Sequence, residues 1–244
     1  MKRYQAPLRR RIILMRHGSV SYYQPDGTPV DADAVALNER GIMQAKAAGQ
    51  LLAMHDVQVD RVITSHLLRT QQTADWVLES IKPIAGRRRS AFEAWGEIRK
   101  GNYEALEGEA LHDSFLGIFS GRPPAETRFQ GGESIAEVYA RVLPKVKDEL
   151  EDPSWQCALW VLHGGINRAL LSWWLCSTEG WLGNLLQQPA CINLIDAARQ
   201  AENSIVRAIN LWPGDWIQAN DRHSTIEAQL TEYEHGLLQR KSKH

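Results

Sequence analysis

Little in this chain marks it for a membrane, an oxidising compartment or nucleic acid. Its 244 residues hold three cysteines, Cys157, Cys176 and Cys191, at wide and irregular spacing with no C-x-x-C pair. That excludes a disulfide framework and a thiolate zinc site, and it predicts small buried hydrophobes in a reducing compartment. No apolar run approaches the ~18 residues of a membrane span. Ile12–Met15, which follows the basic residues Lys2, Arg3, Arg9, Arg10 and Arg11, is too short for a secretory leader. Lys and Arg number 28 against 29 Asp and Glu, so no global field draws the chain to polyanions or anionic lipid. His55, His66, His112, His223, His235 and His244 show no metal-ligand spacing. The expectation that remains is a cytoplasmic protein with no nucleic-acid or membrane partner.

What is present reads as one α/β domain over residues 1–244. In Arg11-Ile12-Ile13-Leu14-Met15-Arg16-His17-Gly18, four apolar residues between polar ones predict a buried strand, and the glycine lets the backbone turn. A guanidinium and an imidazole thereby reach the C-terminal tip of a strand, where open α/β sheets bind ligands. Asp60–Ser65 reads as a second strand. Trp155–Leu162 reads as a third, and it too ends in His-Gly, at His163-Gly164-Gly165. Cys191–Ala197 and Ser204–Leu211 are two further strands able to form a hairpin.

Helices are predicted from the apolar stripes Ile42, Ala45, Gly49, Leu52; Leu67, Thr70, Ala74, Val77, Ile81; and Ile135, Val138, Val142, Val146, Leu150. Ser134 and Glu137 form a capping box for the last of these, and Pro144 inside it is expected to kink it. A fourth helix follows His163, from Ile166 to Cys176, and Ile226, Leu230, Tyr233 and Leu237 mark a C-terminal one. Pro83–Ser90, with Arg87-Arg88-Arg89, reads as a solvated loop, and Ala91–Gly108 as irregular. Residues 109–130 read as a short helix and an excursion over the sheet. Trp173, Trp174 and Trp181 read as packing residues.

Arg69 falls in the first turn of its helix, where free N–H groups and the dipole favour anions. If it converges with Arg16, His17 and His163, two guanidinium forks match phosphoryl oxygens and one imidazole can attack phosphorus. No metal is required, because the cations are already supplied. The leaving alkoxide needs a proton from a carboxylic acid, for which Glu93, Glu97, Glu104 and Glu107 are candidates that spacing alone does not separate.

The segments LMRHG, LNERG, SHLLRTQQTA, EIRKGNYEALEG, GGESIAEVYARV and VLHGGINRALL resemble the histidine phosphatase superfamily. That group contains cofactor-dependent phosphoglycerate mutases and many small phosphatases. The likeness runs in order from about Ile12 to Leu171. It implies a three-layer α/β/α sandwich with a mostly parallel central sheet, a recognisable core over about 11–212, and a C-terminal helical extension at about 224–240. It also implies roles: His17 as phosphorylated nucleophile, Arg16 as clamp, Arg69 and His163 as phosphoryl-binding groups, and Glu97, four residues before Gly101, as the acid. A phosphatase acting on a small phosphorylated substrate without metal or cofactor is the expected activity. A mutase, or a silent relative that binds a phospholigand or a protein, is the alternative; the C-terminal helix packs either on the body or on a partner chain, and a homodimer is one arrangement the sequence allows. Ser19-Val20-Ser21-Tyr22-Tyr23 departs from the family pattern, with Tyr23 where many relatives have Asn.

Overall fold

The computed structural model describes residues 5–24, 28, 30–103, 105–176, 178–212 and 222–241, with side chains through Gly236. Six strands form one sheet: β1 (Arg10–Arg16), β2 (Arg61–Ser65), β3 (Arg88–Phe92), β4 (Cys157–Leu162), β5 (Ile192–Ala197) and β6 (Ile205–Leu211). Their spatial order is β3-β2-β4-β1-β5-β6. The first four run parallel; β5 pairs antiparallel with both β1 and β6. The C-terminal tips of β1, β2 and β4 therefore share one edge, which brings Arg16, Ser65 and Leu162 together with the residues that follow them.

The apolar run of β1 is continuous because both of its faces are covered, as parallel strands require. Ile12 and Leu14 pack into one core with α3 (Gly108–Leu116), α4 (Ile135–Glu151), α5 (Gly164–Cys176) and α6 (Thr225–Lys241). Ile13 and Met15 pack into the other with α1 (Glu39–Met54) and α2 (Leu68–Ser80). The alternation of β4 matches: Trp160 and Leu162 face the first core, Leu159 and Val161 the second. This is the three-layer α/β/α arrangement.

The connection leaving β1 lies directly on the start of α1. A Cβ added to Gly18 would stand 2.5 Å from the Gly41 carbonyl oxygen, and one on Gly41 would stand 2.1 Å from that of Ser19. Only a pair of glycines permits this approach. Asn38 caps α1, its side chain accepting from the Gly41 N–H at 2.9 Å.

Two expectations change, the loop reading of the Arg88 segment and the burial of all three cysteines. Arg88–Phe92 is an edge strand, not a loop; RRSAF carries no alternating apolar signal because its residues are exposed or half-buried. Its arginines are held locally, Arg88 by Asp152 and Ser154 and Arg89 by Asp75 at 2.7 Å, while Arg87 donates to the Val59 carbonyl. Pro144 lies inside the helix over Ile135–Glu151, as the sequence places it. Of the cysteines, all free, only Cys191 is buried, and Cys157 and Cys176 are half-buried. The C-terminal helix packs on the body of its own chain, with Ile226, Leu230 and Tyr233 in the larger core and Tyr233 against Phe115 and Tyr103. Leu237 lies outside the described side chains. The other expectations hold: the Ser134–Glu137 capping box forms, β5 and β6 form an antiparallel pair, and the three tryptophans are core residues. Among the described residues no helix is long and apolar enough to cross a membrane.

Candidate active site

The strand tips bring all five sequence-predicted site residues to one place. His17 and His163 follow β1 and β4, and their rings stand 5.2 Å apart at 60°. Glu97, on the loop after β3, reaches between them. Its Oε1 lies 3.8 Å from His17 Nε2 and 3.4 Å from His163 Nδ1, and its Oε2 lies 3.2 Å from Arg69. The imidazoles are 2% exposed and Arg69 1%, whereas Glu97 is 27% exposed and faces a cavity of ≈ 360 Å³. Of the other acids considered, Glu93 and Glu107 are exposed and do not line that cavity, and Glu104 lies outside the described residues.

Hydrogen bonds fix which ring nitrogen faces the site. His17 Nδ1 is 2.8 Å from the Gly18 carbonyl oxygen. A carbonyl only accepts, so Nδ1 carries the proton and Nε2 presents a lone pair toward Glu97. His163 Nε2 is 2.8 Å from Ser65 Oγ. A lone pair on His163 Nδ1 facing the carboxylate would be repelled, so the favoured tautomer has Nδ1–H aimed into the site and Nε2 accepting from Ser65. The two histidines thus present opposite chemistry, one a lone pair and the other an N–H donor.

Burial moves the titrations. It lowers the His17 pKa against the opposing pull of Glu97, and it pushes His163 down to about 3, so both rings are neutral at ordinary pH. For Glu97, burial alone would raise the pKa, but His163, His17 and Arg69 together outweigh it and hold the carboxyl well below its usual range. Burial, then the Glu97 charge, raises the Tyr22 hydroxyl, which donates to Glu97 Oε1 at 3.2 Å and lines the cavity. Tyr22, rather than Tyr23 at the expected Asn position, enters the site.

The arginines are held from behind with donors left over. Arg16 donates to the Gln187 carbonyl at 2.6 Å and to Thr225 Oγ1 at 3.0 Å, and Arg69 donates to the Ala32 carbonyl at 2.7 Å. A buried amide network of Gln187, Asn167 and Asn193 lies beneath the first of these contacts. Arg16 Nε and Arg69 Nε are buried and have no hydrogen-bond acceptor, and buried His163 Nδ1 has only the Glu97 carboxylate, 3.4 Å away. These N–H donors, gathered about His17, are an arrangement that an anion satisfies.

The Glu97 loop is fixed from α4. Arg141 pairs with Glu133 at 2.7 Å and donates to the carbonyls of Ala94 and Glu97. Glu133 also accepts from the Arg99 N–H at 2.8 Å. Sequence reading misses this brace, Tyr22, Ser65 and Thr225. Only Ser65 left a signal, a hydroxyl at a strand tip beside the site; the others arrive from distant segments.

A metal is the competing occupant, since ligand atoms of His17, Glu97 and His163 all lie within 4.8 Å of one another. Two imidazoles and a carboxylate suit a transition ion. Arg69 on Glu97 and Arg16 at the same cavity oppose it, because permanent cations repel a divalent ion and attract a phosphoryl dianion.

Residues 12–210 match the histidine phosphatase superfamily (branch 1). The chain belongs to that superfamily. Among its relatives, an acid phosphatase of Mycobacterium tuberculosis is 30% identical over 168 residues, covering 68% of this chain and 75% of the relative. A 2,3-bisphosphoglycerate-dependent phosphoglycerate mutase of Azorhizobium caulinodans is 30% identical over 167 residues, covering 66% of this chain and 80% of the relative. The fold is similar to that of a mycobacterial glucosyl-3-phosphoglycerate phosphatase solved with inorganic phosphate, with a TM-score of 0.62 at 23% identity over 84% of this chain and 98% of that one. Both phosphatases and mutases thus stand among the histidine phosphatase relatives, and α6 lies beyond the matched segment.

Proposed function

We propose that this protein is a phosphomonoesterase that works through a phosphohistidine on His17 and needs no metal. The observation that carries this reading is the set of buried donors about His17, with Arg16 Nε and Arg69 Nε lacking any acceptor and His163 Nδ1 facing only Glu97 at 3.4 Å, beside an imidazole whose Nε2 faces the same carboxylate.

A phosphoryl group held by these donors meets His17 Nε2. The lone pair forms an N–P bond while the ester P–O bond breaks, and the positive charge gained by the ring is stabilised through Nδ1–H and the Gly18 carbonyl. The leaving alkoxide takes a proton from Glu97. That carboxyl is ionised before substrate arrives, and a phosphoryl anion placed beside it raises its pKa, since adjacent negative charges resist joint ionisation. Glu97 then accepts a proton from water, whose oxygen attacks phosphorus and returns the electron pair to Nε2. Arg16, Arg69 and His163 stabilise the charge on the equatorial oxygens throughout.

The test is hydrolysis of p-nitrophenyl phosphate and a panel of phosphorylated metabolites, with and without a chelator, by wild type and His17→Ala. The expected result is chelator-resistant phosphate release by the wild type alone. Phosphoryl exchange that depends on a bisphosphoglycerate primer, without net hydrolysis, would favour the mutase.

A further inference from the structure

Arg16 is anchored from two distant parts of the chain, and both bonds leave the same nitrogen. Its Nη1 donates to the Gln187 carbonyl at 2.6 Å and to Thr225 Oγ1 at 3.0 Å. The two hydrogens of Nη1 are thereby used, so the Nε–Nη2 edge, a parallel pair of donors, is the side of the fork left for a ligand. Nε is buried without an acceptor. A Cβ on Gly164 would stand 3.3 Å from it, so the glycine leaves that edge uncrowded.

The first anchor belongs to the sheet. Gln187 is 1% exposed and its Oε1 accepts from Asn193 Nδ2 at 2.8 Å, which also donates to the Leu14 carbonyl on β1. The second comes from α6, which lies beyond residues 12–210 of the superfamily match. Ile226, Leu230 and Tyr233 seat that helix in the larger core, and Glu234 meets His112 of α3 at 2.8 Å. At its first turn the Ser224 hydroxyl accepts from the Glu227 N–H, and the Glu227 carboxylate accepts from the Ser224 N–H. Ser224 therefore caps the helix, and the Thr225 hydroxyl is not needed for that purpose. Thr225 instead lines the cavity shared by Arg16 and His163. A planar group held at one point pivots about that contact, and a second acceptor on the same nitrogen fixes its plane.

We propose that Thr225 is a positioning residue for the phosphoryl clamp: its hydroxyl oxygen, together with the Gln187 carbonyl, turns the Nε–Nη2 edge of Arg16 toward the phosphoryl group, which makes α6 part of the active site. For its effect on turnover this rests on the phosphomonoesterase reading, whereas the binding of phosphate tests it directly. A purely structural Thr225, serving only the packing of α6, would affect stability and leave the affinity for phosphate untouched.

The experiment measures Kd for inorganic phosphate by isothermal titration calorimetry, beside kcat and KM for p-nitrophenyl phosphate, in wild type, Thr225→Val and Thr225→Ser. Valine keeps the branched shape and removes the acceptor; serine keeps the acceptor and removes the methyl group. Thr225→Val is expected to raise the phosphate Kd and lower kcat/KM by about tenfold each, with Tm within about 2 °C of wild type. Thr225→Ser should stay within about twofold of wild type in both quantities. An unchanged phosphate Kd in Thr225→Val, or an equal loss in Thr225→Ser, overturns the assignment. If Thr225→Val does not fold, Thr225→Ala, which also lacks the acceptor, carries the same comparison. Wild type that binds phosphate but hydrolyses no ester overturns the phosphomonoesterase reading, while the Kd values still decide Thr225. Hydrolysis with the phosphate Kd unchanged in Thr225→Val overturns Thr225 alone, and wild type that binds no phosphate overturns both.

Discussion

Ser65 Oγ lies 2.8 Å from His163 Nε2, while Nδ1 of the same ring faces Glu97 at 3.4 Å. With the Glu97 carboxylate favouring the proton on Nδ1, the hydroxyl at the tip of β2 supplies the donor that Nε2 then accepts. Removing it leaves Nε2 without its donor and weakens the preference for the tautomer that aims Nδ1–H at a phosphoryl oxygen. Ser65→Ala should lower kcat/KM by about fivefold to tenfold, the worth of one hydrogen bond. Steady-state kinetics on an aryl phosphate checks this; an unchanged value would assign Ser65 to packing.

Arg141 acts at one remove, by tying the Glu97 loop to α4. Arg141→Met keeps the length of the side chain but loses the pairing with Glu133 and the contacts to the Ala94 and Glu97 carbonyls. The proton donor then wanders, while the phosphoryl donors stay in place. The expected outcome is a fall of about tenfold in kcat with little change in KM. An aryl ester with a good leaving group, which needs less protonation, should be affected less than an alkyl ester.

The pH profile follows from the direction of the shifts. Burial lowers the His17 pKa, so the acid limb of kcat/KM, where protonation removes the nucleophile, lies below the ~6.5 of an ordinary imidazole. On the other side Glu97, ionised in the free enzyme, must share one proton with the substrate phosphoryl group, whose second pKa is about 6. Activity should therefore fall as pH rises past neutrality, and esters with a lower second pKa should lose it earlier. A profile flat into the alkaline range contradicts the assignment of Glu97 as acid.

Stability has its own weak point away from the site. Arg61 and Glu149 pair at 3.0 Å with both side chains 7% exposed, joining β2 to α4. Removing one partner leaves a buried charge alone, which costs about 3–5 kcal/mol. Glu149→Ala should lower Tm by roughly 10 °C, measured by thermal unfolding, with kcat of the folded fraction retained.

How much of this was legible in the sequence depends on where the signal lay. The strands β1 and β4 announce themselves because both of their faces are buried and their apolar runs are continuous. Arg16, His17 and His163 follow immediately from those runs, and Arg69 from its place in the first turn of α2. Glu97 needed the family likeness, since four carboxylates crowd one irregular stretch and only the fold turns one of them inward. β3 was hidden because an exposed edge strand such as RRSAF has no apolar period to read. Tyr22, Thr225 and Arg141 were hidden for a different reason: their roles depend on contacts between segments far apart in the chain, as when Thr225 on α6 accepts from Arg16 on β1.

The most direct measurement is a rapid-mixing experiment with a radiolabelled aryl phosphate, quenched in alkali, where a phosphoramidate survives, followed by peptide mapping. Label on the peptide containing His17, appearing at the rate of alcohol release and absent from His17→Ala, is the predicted result. Alcohol released with no label on the protein, or label on His163 instead, would contradict it.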